Sequence, residues 1–419
     1  MLAYHYSRSA GPARAIPYLA VAGDRARDRY ANEEAITSYR RALELIEELD
    51  GGRPADIYGA ICESLGLVLQ RLSRFDAAID AYRSGLTAAQ DASQRARLRA
   101  LWCDAEEGAH RFPEALAQCD LAEQELGPAS DPPELSWVAA WVAVQQARMS
   151  VLYWLNDTET YARLIEQVRP FVEAHGSAEQ RAGFLINMLG FLLRRDRYRI
   201  TDGTVEAARA AYAAAQEAEP SPFWWAVFEL GFALLWHGDL DEADVVLRES
   251  LTEGVRRGDL SLQSRARTYL MIAGRKRGDV EGVREAIPGV IERAREASLP
   301  EYEAMAIANR AWVAWRSGDE EKAATDAQAA LRIWEELPVR YIFDWMALWP
   351  MVAMALASGR VEEAAEYARG MLTPPQQLLQ EPAQTLVDSA VHAWDAGQAA
   401  EAEGLLRRAV RTAGDLGYL

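Results

Sequence analysis

The sequence predicts an all-α fold, an α-solenoid of about ten antiparallel helical hairpins, on three observations. First, a short string recurs. Gly238-Asp239-Leu240-Asp241-Glu242-Ala243 returns as Gly318-Asp319-Glu320-Glu321-Lys322-Ala323, with looser copies starting at Gly278, Gly359 and Gly397. The glycine steps are 40, 40, 41 and 38 residues, and self-similarity at such a period marks stacked repeats. Second, an alanine follows the turn residue by five positions far beyond these glycines. Across eleven such slots nine hold alanine, the exceptions being Tyr161 and Val283. Third, the composition is globular, with 50% hydrophobic and 26% charged residues, which excludes disorder as the main state.

Each part of the string has a mechanical task. Glycine ends a helix because it enters the left-handed conformation at low cost. A polar residue after it caps the next helix, and acids in that helix's first turn face the positive end of its dipole. The alanine lets the two helices of a hairpin approach closely.

Along the chain, residues 1–50 read as opening hairpins, with Ala15 marking a partial unit and Ala35 standing five after Tyr30. Residues 54–126 hold two well-written hairpins, in which Ala78 follows Ser73 and Ala115 follows His110. Residues 132–218 are less regular: Asn156 precedes Tyr161, Ala208 follows Gly203, and Arg197–Asp202 stretches one turn. Residues 221–419 carry the regular 40-residue hairpins, interrupted by Thr373-Pro374-Pro375. The linker 128–133 and the Pro374 pair stop one helix and start the next, and neither is long enough to divide the array. The expectation is a single solenoid over 1–419.

Charge and targeting narrow the partners. The net charge of −18 repels phosphate backbones and anionic lipid, so nucleic-acid and membrane partners are not expected. No apolar leader opens the sequence and no apolar run is long enough to span a bilayer. The three cysteines are too few for a disulfide framework. A cytoplasmic location is the expectation.

No chemical constellation stands out, so no cofactor, metal or catalytic residue is expected. The five histidines are never paired at helical spacing, and Cys62, Cys103 and Cys119 occupy core-like positions. The acid pairs Glu33-Glu34, Glu320-Glu321 and Glu362-Glu363 begin second helices, where the dipole accounts for them. The basic knot Arg275-Lys276-Arg277 ends a helix, where cations suit the opposite pole; a phosphate site is the weaker alternative.

Spacing does carry a resemblance. Gly66, Ala78 and Tyr82 repeat the small–alanine–aromatic pattern of the tetratricopeptide repeat, as do Gly231, Ala243 and Leu247. The chain resembles a tetratricopeptide-repeat solenoid over nearly its whole length, with a step near 40 instead of roughly 34 residues. That resemblance implies a right-handed superhelix whose first helices line a concave wall. Aligned on the repeats, the wall holds Tyr153; Phe184, Asn187, Phe191 and Arg194; Trp225, Phe228 and Phe232; Arg265; and Trp312 and Trp315. Aromatics with interspersed Arg and Asn suit a groove for a peptide or small effector; core packing between hairpins is the competing account of the same residues.

A narrower resemblance lies in His5-Tyr6, Ala22-Gly23-Asp24-Arg25-Ala26 and Tyr30-Ala31-Asn32-Glu33-Glu34-Ala35-Ile36 through Leu45. This stretch is similar to the start of the helical-repeat region in bacterial signal-transduction ATPases, in LuxR-type regulators and in cyclase-linked ones. No phosphate-binding Gly-x-x-x-x-Gly-Lys string accompanies it, so the ATPase and output domains of such a regulator are absent from this sequence. The short first unit and the uncapped last helix fit a piece of a longer regulator. The implied function is non-catalytic sensing and interaction, with a free-standing adaptor as the alternative.

Overall fold

The computed structural model describes residues 12–49, 54–130, 133–218 and 223–419. Among these, twenty α-helices pair as ten hairpins. The first five pairs are α1 (Ala15–Asp28) with α2 (Asn32–Glu47), α3 (Ala55–Arg71) with α4 (Phe75–Leu86), α5 (Ala92–Gly108) with α6 (Phe112–Leu126), α7 (Leu135–Leu155) with α8 (Thr158–His175), and α9 (Ala178–Arg195) with α10 (Asp202–Glu217). The others are α11 (Phe223–His237) with α12 (Leu240–Arg257), α13 (Leu260–Lys276) with α14 (Val280–Glu296), α15 (Pro300–Arg316) with α16 (Glu320–Glu335), α17 (Trp345–Ala357) with α18 (Val361–Leu372), and α19 (Ala383–Asp395) with α20 (Ala399–Asp415). No described helix is long and apolar enough to cross a membrane. The sequence before Pro12, including His5-Tyr6, lies outside the described residues.

The predicted turn slot recurs as one backbone device. Tyr30, Ser73, His110 and Asn156 all have positive φ, as do Gly238, Gly278, Gly318, Gly359 and Gly397. The next residue then donates its N–H five positions back: Arg74 to Leu69, Arg111 to Glu106, Asp239 to Leu234, Asp279 to Gly274 and Asp319 to Ala314. This left-handed closure satisfies carbonyls that the ending helix leaves free. Asp157, Asp279 and Asp319 then cap the following helix, their carboxylates accepting from Thr160, Gly282 and Lys322 N–H. One turn departs from the reading. Gly203 lies inside α10, and the left-handed residues come earlier, at Arg197 and Tyr198.

The alanine slots are the contact points between paired helices. Ala35, Ala78, Ala115, Ala208, Ala243, Ala323, Ala364 and Ala402 are all fully buried. Close approach is strictest where a small residue meets the aromatic partner. A Cβ added at Gly66 would fall 2.3 Å from the Tyr82 ring, and one at Gly23 would fall 2.4 Å from Tyr39. Gly66 and Tyr82 are two of the positions that carry the repeat resemblance.

The helices gather into two compact units. Unit 1 comprises the chain to Phe191 with Ala211–Phe223 and Glu253–Leu260; unit 2 comprises Leu192–Ala210, Trp224–Thr252 and Ser261–Leu419. Each has a clasp between segments distant in sequence. In unit 1, Asn32 Nδ2 donates to the Arg257 carbonyl at 2.9 Å and Arg71 donates to Asn32 Oδ1 at 3.2 Å. The Tyr30 ring there faces the guanidinium groups of Arg71, Arg256 and Arg257 at 5.1, 4.7 and 5.2 Å. In unit 2, the strap between α18 and α19 lies on the α9–α10 turn. Arg197 Nε donates to the Gln376 carbonyl at 2.8 Å, and Leu378 N–H donates to the Arg197 carbonyl at 2.9 Å.

Candidate ligand-binding face

The first helix of each hairpin carries the stripe predicted to line a groove. In unit 1 the stripe is aromatic but largely tied down. Phe184 is buried, with the Arg169 guanidinium 5.8 Å from its ring. Asn187 turns its amide to its own helix, donating to the Gly183 carbonyl at 3.0 Å, while its main-chain carbonyl accepts from Tyr161 OH at 2.7 Å. Phe191 meets Tyr161 edge-on at 5.6 Å. Tyr153, Asn187 and Phe191 each keep some contact with solvent.

Unit 2 divides the predicted set more sharply. Phe228 and Phe232 pack on Tyr269 at 5.7 and 4.9 Å and are buried, as is Arg194 over Tyr198 at 5.5 Å. Trp312 is fully enclosed, with Arg275 and Arg316 over its faces. Trp315 is half-buried against the Met271, Val283 and Ile287 cluster. These positions behave as core, the account the sequence left competing with a groove.

Trp225 and Arg265 remain within reach of solvent and are brought together. The Arg265 guanidinium lies 5.3 Å from the Trp225 ring and 5.1 Å from the Tyr302 ring, and donates to Tyr302 OH at 2.7 Å. Glu229, one turn after Trp225, completes the group. Burial lifts its carboxyl to about 7, with Arg265 pulling the other way. The result is a cation held between two aromatic faces beside an acid that changes charge near neutrality. Sequence reasoning had missed Glu229, although the lone acid within Phe223–Trp236 was a visible signal.

The basic knot is taken apart by the fold. Arg275 is fully buried and donates to the Tyr418 carbonyl at 2.6 Å and the Met346 carbonyl at 3.1 Å. The second bond has a simple cause. Met346 stands four residues before Pro350, which has no N–H to give it. Burial lowers the Arg275 guanidinium to about 9. Arg277 instead turns outward to the Leu240 carbonyl and Asp241. Helix-end electrostatics, the reading drawn from the sequence, therefore leaves out what Arg275 does.

Other chemistry is sparse. No group of three or more His, Cys, Asp or Glu among the described residues could hold a metal ion. The exposed acid pairs stand in first turns, as expected. Cys103 and Cys119 face each other at 3.3 Å in the core of unit 1, a pairing their spacing does not announce. Asp104 on α5 is pushed up to about 8 by burial and by the neighbouring charge of Glu107.

This architecture defines the class: the chain is a tetratricopeptide-like α-solenoid. No protein-family profile matches the sequence, and no curated protein matches it by sequence. Among solved structures it is similar to a Rap protein complexed with Competence and Sporulation Factor, at a TM-score of 0.52 and 11% identity over 77% of this chain and 98% of that one. A signal-transduction ATPase with a tetratricopeptide-repeat sensor from Pyrococcus horikoshii matches at a TM-score of 0.47 and 14% identity, covering 80% of this chain and 52% of that one. The apo form of RapI matches at a TM-score of 0.46 and 12% identity, over 76% and 85% of the two chains.

Proposed function

We propose that this chain is a non-catalytic interaction module that takes a peptide or a segment of a partner protein on the first helices of unit 2. The observation that carries this reading is the solvent-reachable pair of Trp225 and Arg265, with the buried carboxyl of Glu229 beside it. An aromatic anchor and a guanidinium side by side are the residue types that dominate binding energy at interfaces. The described residues offer no metal cluster to compete with it. The fold's likeness to a Rap protein solved in complex with Competence and Sporulation Factor agrees with a partner-binding role. Tyr153, Asn187 and Phe191 form a second candidate patch within unit 1, smaller in polar content.

The finer reading places this module in a cytoplasmic bacterial regulator, as the helical-repeat part of a signalling ATPase or transcription regulator. The opening stretch through Leu45 supports it. A partner would then act by binding one state of the larger protein more tightly than the other. A free-standing adaptor is the alternative.

Two measurements separate these readings. Peptides selected from a random display library on the purified chain should lose at least about tenfold in affinity on Trp225→Ala or Arg265→Ala, with the melting temperature little changed. Peptides that bind both variants as well as the parent would remove this face from consideration. An open reading frame running in phase upstream of Met1 into a nucleotide-binding module would favour the regulator; a stop codon just ahead of Met1 would favour the adaptor.

A further inference from the structure

One guanidinium in unit 2 has no counter-charge. Arg267 is half-buried on α13, and among the described residues no carboxylate pairs with it and no acceptor takes its N–H groups. Its Nε is sealed inside the protein, while the two terminal nitrogens are the end of the side chain that solvent reaches. Donors left unmade in this way are costly, charged ones most of all, and an unsatisfied group in a folded chain calls for a reason.

Arg267 forms part of the wall of a cleft of about 300 Å³ between α12, α13 and α14. The larger apolar residues of that wall are Leu251 from α12, Leu270 and Met271 from α13, and Val283 and Val290 from α14; none is aromatic. All of them belong to unit 2. The head of Arg267 lies toward the α14 side of the cleft. A Cβ built on Gly289 would stand 3.9 Å from its Nη1. Gly282, Ala286 and Gly289 follow one another by four and three residues, so they share one stripe of α14, and the first two line the cleft. Nη1 therefore ends beside that stripe, at a position where glycine leaves room.

The other charged groups of the cleft are already matched. Asp244 accepts from Arg248 at 2.5 and 3.2 Å and lies 3.7 Å from Arg277. Arg277 also donates to Asp241 at 3.0 Å. Asp279 caps α14, accepting from Gly282 N–H at 2.9 Å. Farther along α14, Arg293 pairs with Glu296. What remains is one unmatched cation beside aliphatic walls, in a chain whose net charge is −18.

We propose that this cleft binds a short aliphatic carboxylic acid, its carboxylate accepting from the terminal nitrogens of Arg267 and its hydrocarbon body lying against Leu270, Met271 and Val290. A guanidinium meets a carboxylate with two parallel N–H donors, a pairing stronger than a neutral hydrogen bond. Walls without aromatic rings suit a hydrocarbon chain, and a cleft of this volume falls at the small end of ligand sites. Arg265 stands two positions before Arg267, and residues so spaced face different sides of a helix. The site is therefore independent of the peptide-binding face.

Hexanoate tests it against two relatives: acetate, which keeps the charge and lacks the body, and hexanamide, which keeps the body and lacks the charge. At about 10 mM, hexanoate should raise the melting temperature of the full chain, and the other two should not. Arg267→Gln should weaken hexanoate binding at least about tenfold, read by titration calorimetry. Gly289→Asp offers a second check. It places a tethered carboxylate beside Nη1, so it should raise the melting temperature by itself and remove the response to hexanoate. A hexanoate response no greater than that to acetate or hexanamide would overturn the proposal. So would undiminished binding to Arg267→Gln, or an undiminished hexanoate response in Gly289→Asp.

Discussion

The two units are built from the same hairpin but are clasped by different chemistry. Unit 1 joins distant segments through charged and amide side chains. Asn32 bridges Arg71 and the Arg257 carbonyl, and three guanidinium groups crowd the Tyr30 ring. Like charges that close repel one another, and burial together with Arg257 depresses the Arg71 guanidinium. Unit 2 uses main-chain groups: the strap pairs with Arg197, and the interior guanidinium of Arg275 binds carbonyls at Met346 and Tyr418. A hairpin array fixes neighbour contacts by its repeat; its long-range closures are set by single residues outside the repeat pattern. The difference predicts that unit 2 depends more heavily on one side chain than unit 1 does.

The largest effect should come from Arg275→Met. The substitution keeps much of the volume but strips buried carbonyls of their donors, including the one that Pro350 leaves without a helical partner. A loss of about 3 kcal/mol is expected. Asn32→Ala removes two hydrogen bonds at a site nearer the surface, and about 1 kcal/mol is expected there. Denaturant titrations of both variants check the order. An Asn32→Ala loss equal to or greater than that of Arg275→Met would break the contrast between the clasps.

Acidity offers a second comparison. Asp104 in unit 1 and Glu229 in unit 2 both have their protonated forms favoured by burial, near 8 and 7 respectively. A carboxyl raised in the folded state adds stability that is fully present below its unfolded pKa. That stability is lost as pH rises through the folded value. The parent should therefore lose stability between about pH 4 and pH 8 from these two groups, the Glu229 part being complete near pH 7 and the Asp104 part near pH 8. Asp104→Asn and Glu229→Gln should each flatten their part of the profile, measured as melting temperature against pH. A profile unchanged by either substitution would show that the two groups titrate alike in the folded and unfolded chains. Glu229→Gln also sharpens the proposed peptide face, because it removes the charge that appears beside Arg265 near neutrality.

Most of the architecture was legible because it is periodic. The turn slots, the buried alanines and the Gly66–Tyr82 contact each repeat, so a spacing read in one hairpin transfers to the next. The face was legible only in part. Helical phase puts Trp225, Phe228 and Phe232 on one stripe, but only Trp225 keeps contact with solvent, because Tyr269 arrives from a neighbouring hairpin and covers the other two. Lys276 and Arg275 look alike as charges at a helix end. Their separate roles depend on Trp236, Met346 and Tyr418, partners far away in sequence that no local pattern names. Periodicity specifies neighbours; it is silent about closure.

The smallest expected effect tests the turn device itself. Ser73 holds φ at 54° in the slot that the later hairpins fill with glycine, and its buried hydroxyl has no hydrogen-bond partner among the described residues. A non-glycine residue in that conformation costs roughly 1 kcal/mol. Ser73→Gly removes both that strain and the orphaned hydroxyl, while the added freedom of glycine in the unfolded chain offsets part of the gain. A net stabilisation of about 0.5–1 kcal/mol is expected. Tyr30 occupies the same slot at φ 59°, yet Tyr30→Gly should not stabilise, because its ring is the meeting point of the three arginines. Paired thermal melts of the two variants read the difference directly. Stabilisation by both would mean that the Tyr30 contacts contribute nothing to the unit 1 clasp.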